Sequence, residues 1–171
     1  MRQKAKATTL RMVGIVAGLM LALTVPSTAS AQEAPFSADT SGGLGTAKSS
    51  APSLNQGRGI MAGKDGLCNL GEFCLWYQPD FGGALIDFAG NDPNYFDDKF
   101  IASEFTVAQN TGSFLNGNPY SYVLGCIDVN YMGVCGYADP YGSPYGWYGN
   151  FVPQFDRLLV SHYFFGTGDP A

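Results

Sequence analysis

The feature that most narrows what this chain can fold into is a loose internal repeat. Cys68–Gly83 reads CNLGEFCLWYQPDFGG: two close cysteines, a strand-like run over Phe73–Tyr77, then Pro79-Asp80 leading into Phe81-Gly82-Gly83. Large β-forming residues followed by Pro, Asp and Gly predict a strand that turns sharply into a hairpin. Its landmarks recur further on. Cys126 follows Cys68 by 58 positions, and Tyr141-Gly142 follows Phe81-Gly82 by 60. Asp98–Ser103 (DKFIAS) is answered by Asp156–Ser161 (DRLLVS), again 58 later. Three landmarks in one order at nearly one offset predict two copies of one small β unit.

The N-terminus predicts export. Arg2, Lys4, Lys6 and Arg11 precede an apolar run over Met12–Val25, and Ala29-Ser30-Ala31 supplies small residues for cleavage. This is the pattern of a secretory signal peptide, residues 1–31, cut after Ala31. The run falls short of the ~20 residues a membrane span needs, and no other apolar stretch is longer. The expected product is secreted and free of the membrane. Without residues 1–31, five Lys and Arg face fourteen acids, a net charge of −9. Single, scattered basic residues on an acidic chain exclude nucleic acid as a partner.

Residues 32–66 are rich in Ser, Ala, Gly, Thr and Pro and poor in large apolar side chains. Such a stretch buries too little surface to offset its ordering entropy, which predicts a flexible linker or propeptide. Composition changes at Leu67, after which nearly all the aromatics lie. Residues 67–166 are therefore the expected domain, a size usual for one core. Strand-like runs recur at Phe73–Tyr77, Ala84–Phe88, Phe105–Gln109, Tyr120–Ile127, Val134–Ala138, Trp147–Val152 and Leu158–Phe165. Turn residues separate them, and no window keeps helical periodicity; Tyr95–Phe105 has room for a turn or two. The pattern predicts an all-β antiparallel sandwich. Trp76, Phe81, Phe88, Phe105, Val123, Leu158 and Val160 are its expected core.

Four cysteines in two close pairs on an exported chain predict two disulfides. Three connectivities are possible, and the repeat selects one bridge per unit, Cys68–Cys74 and Cys126–Cys135. A zinc site is excluded by compartment, by spacing and by the single histidine, His162. Bridged cysteines leave no thiol nucleophile. The chain has no G-x-S-x-G, P-loop or H-E-x-x-H pattern. His162 stands on an expected strand at the place of Glu104 in the first unit and reads as a packing or rim residue rather than a general base. Asp97-Asp98 reads as a solvated turn. No catalytic residue, cofactor or enzyme activity is expected.

Trp76-x4-Phe81-x-Gly83 resembles the aromatic-x4-aromatic-x-Gly signature of βγ-crystallin Greek-key motifs, and Asp98–Ser103 and Asp156–Ser161 sit where such motifs carry an Asp/Asn…Ser element. With the signal peptide and the Cys-Leu-Trp opening, the chain resembles the secreted bacterial peptidase-inhibitor family typified by the Streptomyces metalloproteinase inhibitor. The resemblance covers about Leu67–Phe165. It implies a βγ-crystallin-like sandwich of two Greek-key units, with one disulfide early and one midway. The second copy departs from the signature, with Gly136 near the place of Trp76 and Ser143 in place of the glycine, and its last strand is expected to be missing or replaced. The motif's calcium positions hold Asp98, Lys99 and Ala102, then Asp156, Arg157 and Val160. A cation at a ligand position argues against calcium, so no metal is expected.

The resemblance further implies inhibition of an extracellular protease, in particular a thermolysin-like metalloprotease, by a monomer. The loop Cys126–Cys135 would be presented as a rigid, substrate-like segment. The reactive bond carried over is Cys126–Ile127, with Ile127 entering an apolar S1′ pocket. A second segment, Tyr137–Phe151, is dense in Tyr, Trp and Gly. It suggests an alternative, a secreted carbohydrate- or cell-wall-binding or antimicrobial module, stacking Tyr145 or Trp147 on a partner.

Overall fold

The computed structural model describes residues 43–46, 50–55 and 62–166, all within the compact unit Glu33–Ala171. The expected signal peptide lies outside the described residues. Among the described residues eight strands form two sheets: β1 Gly45–Thr46, β2 Phe73–Gln78, β3 Gly82–Phe88, β4 Ser113–Asn116, β5 Ser121–Cys126, β6 Cys135–Ala138, β7 Tyr148–Phe151 and β8 Ser161–Gly166. Other regular structure among the described residues is limited to three 3-10 turns, at Pro79–Phe81, Tyr95–Asp97 and Val129–Tyr131. Strand pairing within both sheets is antiparallel.

One sheet has the order β1-β7-β4-β2-β3 and the other β6-β5-β8. In each the closing strand of a unit lies beside its first strand, which lies beside its second: β4-β2-β3 and β8-β5-β6. This is the 4-1-2 part of a Greek key. The third strand of the second unit crosses to the other sheet, and in the first unit a single residue makes the equivalent crossing. β7, from the second unit, pairs with β4. Asp92, from the first, forms an antiparallel bridge with His162 on β8. The fold is an all-β antiparallel sandwich in which the second half lends β7 to the sheet of the first and the first reaches the second through one bridge. The second unit is complete, because β8 is the closing strand that was expected to be missing or replaced.

β2 explains the unbroken apolar run FCLWY. Phe73 and Leu75 point into the main core between the sheets, with Phe114, Val123, Ala138, Phe151, Phe155 and Leu159. Cys74 and Trp76, on the opposite face, join Cys68 and Leu115 in a smaller cluster covered by Leu54, Phe81, Leu85, Trp147 and Tyr148. A strand buried on both faces reads as a continuous rather than alternating pattern. Of the expected core, Trp76, Phe88, Val123 and Val160 are buried. Phe81 is partly buried, edge-on to Trp76 at 5.2 Å between centroids. Phe105 and Leu158 are not core: both are exposed. Phe105 stacks on the outside of Tyr77 at 4.5 Å, while Phe155 and Leu159 take the buried places of the turn that holds Leu158.

Two further expectations are corrected. Phe105–Gln109 is not a strand, since its backbone bonds scatter over Phe100, Asp98, Tyr95 and Leu159. The closing strand of the first unit is β4, Ser113–Asn116, whose polar ends hid it. Gly43–Thr46, inside the stretch expected to be linker, packs into the domain. β1 pairs with β7, Leu44 N–H donates to Tyr137 O, and Leu44 O accepts from Val152 N–H. The Leu44 side chain is fully buried in the main core. Its slot exists because Gly125 and Gly136 face it: a Cβ on either would lie 3.2–3.3 Å from Leu44 Cδ2.

Candidate functional site

The loop Cys126–Cys135 is a tightly specified hairpin rather than a loose excursion. Cys126 ends β5 and Cys135 begins β6, the two are register partners, and a disulfide joins them. Between them, Asn130 (φ 56°) and Tyr131 (φ 63°) occupy left-handed conformations, and Gly133 follows at φ 79°. Ser161 holds the turn closed. Its hydroxyl donates to Asp128 O at 2.6 Å and accepts from Tyr131 N–H at 3.1 Å. Asn130 N–H donates to Pro93 O, and Asp128 N–H to Met132 O.

The first unit contains the same device. Asp80 (φ 60°) and Phe81 (φ 61°) are left-handed, with Gly83 following at φ 74°. Ser113 donates to Gln78 O at 2.8 Å and accepts from Phe81 N–H at 3.0 Å. Residues 78, 80, 81 and 83 thus correspond to 128, 130, 131 and 133, an offset of fifty. Ser113 corresponds to Ser161. This corrects the offset of 58 to 60: Ser103 is not the counterpart of Ser161, and Tyr131-Met132-Gly133, not Tyr141-Gly142-Ser143, answers Phe81-Gly82-Gly83. The legible signal was [Asp/Asn]-aromatic-x-Gly at 80–83 and 130–133, masked by the more conspicuous cysteines. Cys126 stands where the first hairpin has Trp76.

Both disulfides pair as expected, Cys68–Cys74 and Cys126–Cys135, though their places in the two units differ. The first ties β2 to the segment before it; the second spans a hairpin.

The Cys126–Ile127 peptide group is engaged on both sides. Cys126 O accepts from Val160 N–H at 2.8 Å, and Ile127 N–H donates to Val134 O at 3.1 Å. Cys126 is fully buried, and Ile127 is partly buried against the main core. The exposed apolar side chains of the hairpin lie beyond it: Val129 (37%), Met132 (48%) and Val134 (50%).

His162 is fully buried. Its Nε2 faces Gly90 O at 2.9 Å, and its Nδ1 takes the Tyr95 hydroxyl. Phe73 and Phe88 pack on the ring. Burial, the dominant effect, lowers its pKa to about 4, against the opposing pull of Asp92 and Gly90 O. It is a satisfied core residue at the place of Phe114. Lys64 bonds Asp98 at 2.6 Å and Asp92 at 3.3 Å, and Lys99 bonds Glu104 at 2.7 Å, so two of the calcium-motif positions are occupied by ion pairs.

Around Tyr137–Phe151, Trp147 packs edge-on against Tyr141 and Tyr148. A shallow cavity of about 350 Å³ is lined by Gly43, Gly45, Tyr137, Asp139, Tyr145 and Gly146. Tyr145 is 73% exposed, and burial raises the pKa of Asp139. No helix among the described residues is long and apolar enough to cross a membrane.

No curated protein matches the sequence. Solved structures similar in fold include two at low sequence identity. One comes from work on the evolution of the eye lens βγ-crystallin domain fold, at TM-score 0.45 and 13% identity, covering 56% of this chain and 86% of the other. The other is the N-terminal domain of Protein S, at TM-score 0.41 and 12% identity, covering 56% and 97%. Residues 62–138, which carry both hairpins and both disulfides, match the model of peptidase inhibitor family I36, the Streptomyces metalloproteinase inhibitor family, a family of protease inhibitors and not of enzymes.

Proposed function

We propose that this protein is a secreted inhibitor of an extracellular protease, with thermolysin-like metalloproteases as the target class and the hairpin Cys126–Cys135 as the part presented. One observation carries the proposal: within the family-matched segment, a single hairpin is both disulfide-closed and lined by exposed apolar side chains. Rigidity established before binding lowers the ordering cost of association, and a closed loop holds its ends together even if cut. Export follows from the expected signal peptide 1–31, and the two disulfides suit an oxidising compartment. The bond named by the resemblance, Cys126–Ile127, would reach a protease only after Ile127 and Val134 part.

The test is a panel of metallo-, serine and cysteine proteases assayed on peptide substrates with the purified mature protein. Inhibition confined to the metalloproteases is expected. Full activity across the panel would refute the proposal. The carbohydrate-binding alternative would use the cavity around Tyr137, Asp139 and Tyr145, because the Trp147 ring is already engaged by Tyr141 and Tyr148. That alternative predicts oligosaccharide binding lost in Tyr145→Ala.

A further inference from the structure

The two hairpins form an internal control. They share their left-handed pair, their glycine and their bridging serine, so what differs between them is not demanded by the fold. In the first hairpin Gln78, Pro79 and Asp80 are exposed, and the one large apolar residue, Phe81, turns inward onto Trp76. In the second, Val129, Met132 and Val134 stand in solvent and a disulfide braces the strands below them. Apolar side chains left in water on a disulfide-braced turn are the composition of a binding anchor rather than of a purely structural turn.

We infer that Met132 and Val134, rather than the Cys126–Ile127 bond, make the decisive contact with the protease, entering its apolar substrate cleft as an uncleaved wedge. The inference rests on the inhibitor function proposed above and says which part of the hairpin serves it. Two features of the backbone support it. The peptide group of Cys126–Ile127 has both its carbonyl and its amide bonded to neighbouring backbone, Val160 N–H and Val134 O, and Cys126 is inaccessible. The apex places left-handed residues at 130, 131 and 133, so no run there is extended as a protease substrate must be. Side chains can fill the cleft while no scissile bond is aligned for attack. An apolar cleft suits these two residues, since neither carries a polar atom in its side chain beyond the methionine sulfur.

The test uses the full mature protein and the protease found most sensitive in the panel. Met132→Asp and Val134→Asp should each raise the inhibition constant about 10- to 100-fold. Met132→Leu should change it little, and Gln78→Ala, at the first hairpin, not at all. Far-UV spectra and unfolding midpoints should match wild type, because both sites are exposed. Mass spectra of the complex after prolonged incubation should show an intact chain under reducing conditions. Wild-type inhibition that survives both Asp variants, or a chain cut between Cys126 and Ile127 in the inhibited complex, would overturn the inference and leave the inhibitor function standing. A wild type that inhibits no protease would overturn both.

Discussion

Leu44→Ala separates a docked strand from a loose linker. Leu44 is fully buried in the main core, between a face formed by Gly125 and Gly136 and the neighbouring side chains of Leu159 and Phe155. The substitution deletes three carbons, worth about 0.8 kcal/mol each when buried, or about 2.4 kcal/mol of transfer free energy. The glycines have no side chains with which to fill the space, so a cavity term raises the cost to about 3–4 kcal/mol. In urea, with a slope near 2 kcal/mol/M, the midpoint should fall by about 1.5–2 M. The melting temperature should fall by roughly 10 °C. Tryptophan fluorescence is a suitable probe, since Trp76 and Trp147 both belong to the smaller cluster. A chain beginning at Ala62 should lose at least as much, because β1 leaves the edge of β7 together with Leu44. A shift below about 0.5 kcal/mol, within the usual range for surface changes, would refute the docking of Gly43–Thr46.

Two further predictions concern the interior. The His162 imidazole should titrate near 4 when its ring protons are followed by NMR. The unfolded chain takes up this proton near pH 6.5 and the native one only near 4, so the contribution of His162 to stability is complete above 6.5 and is lost as pH falls from there to 4, by about 3 kcal/mol. Glu72 and Asp87, whose pKa values burial raises, act in the opposite sense, which makes the ring titration the cleaner measurement; a midpoint near 6.5 would refute the burial. Ser161→Ala should cost about 1–3 kcal/mol by leaving Asp128 O and Tyr131 N–H without their partner, with faster amide exchange at Tyr131. Unchanged protection there would mean the serine does not hold the hairpin.

The sequence disclosed the architecture through residue types and concealed its register. Alternation, turn residues and the span of aromatics were enough for an all-β sandwich with two related halves. The cysteines were misleading as rulers. Cys68–Cys74 braces the entry to a strand and Cys126–Cys135 braces a hairpin, so aligning them shifted the second unit by about eight residues. The pairing itself was right because each bridge joins sequence neighbours, whatever its place in the unit. The true correspondence rests on backbone conformation, left-handed residues at 80–81 and 130–131, which Asp-Phe and Asn-Tyr signal only faintly. Leu44 was illegible for a different reason. One leucine in a Ser- and Gly-rich stretch has no periodicity, and its slot is made by glycines about 80 to 90 residues away. For the candidate site, the sequence singled out the loop Cys126–Cys135 but not its exposed side chains, because exposure of Met132 and Val134 against burial of Cys126 depends on which strand becomes central. β5 became central through its pairing with β8, a contact set by topology.

The central claim, that the braced hairpin inhibits a metalloprotease, is tested most directly by titrating thermolysin of known active-site concentration with the mature protein and following hydrolysis of a peptide substrate. The account predicts loss of activity that saturates at one inhibitor per enzyme, and weaker inhibition by a Cys126→Ser, Cys135→Ser variant, whose hairpin is no longer held shut. Hydrolysis unchanged at a large excess of wild-type protein, there and with the other proteases of the panel, would contradict it.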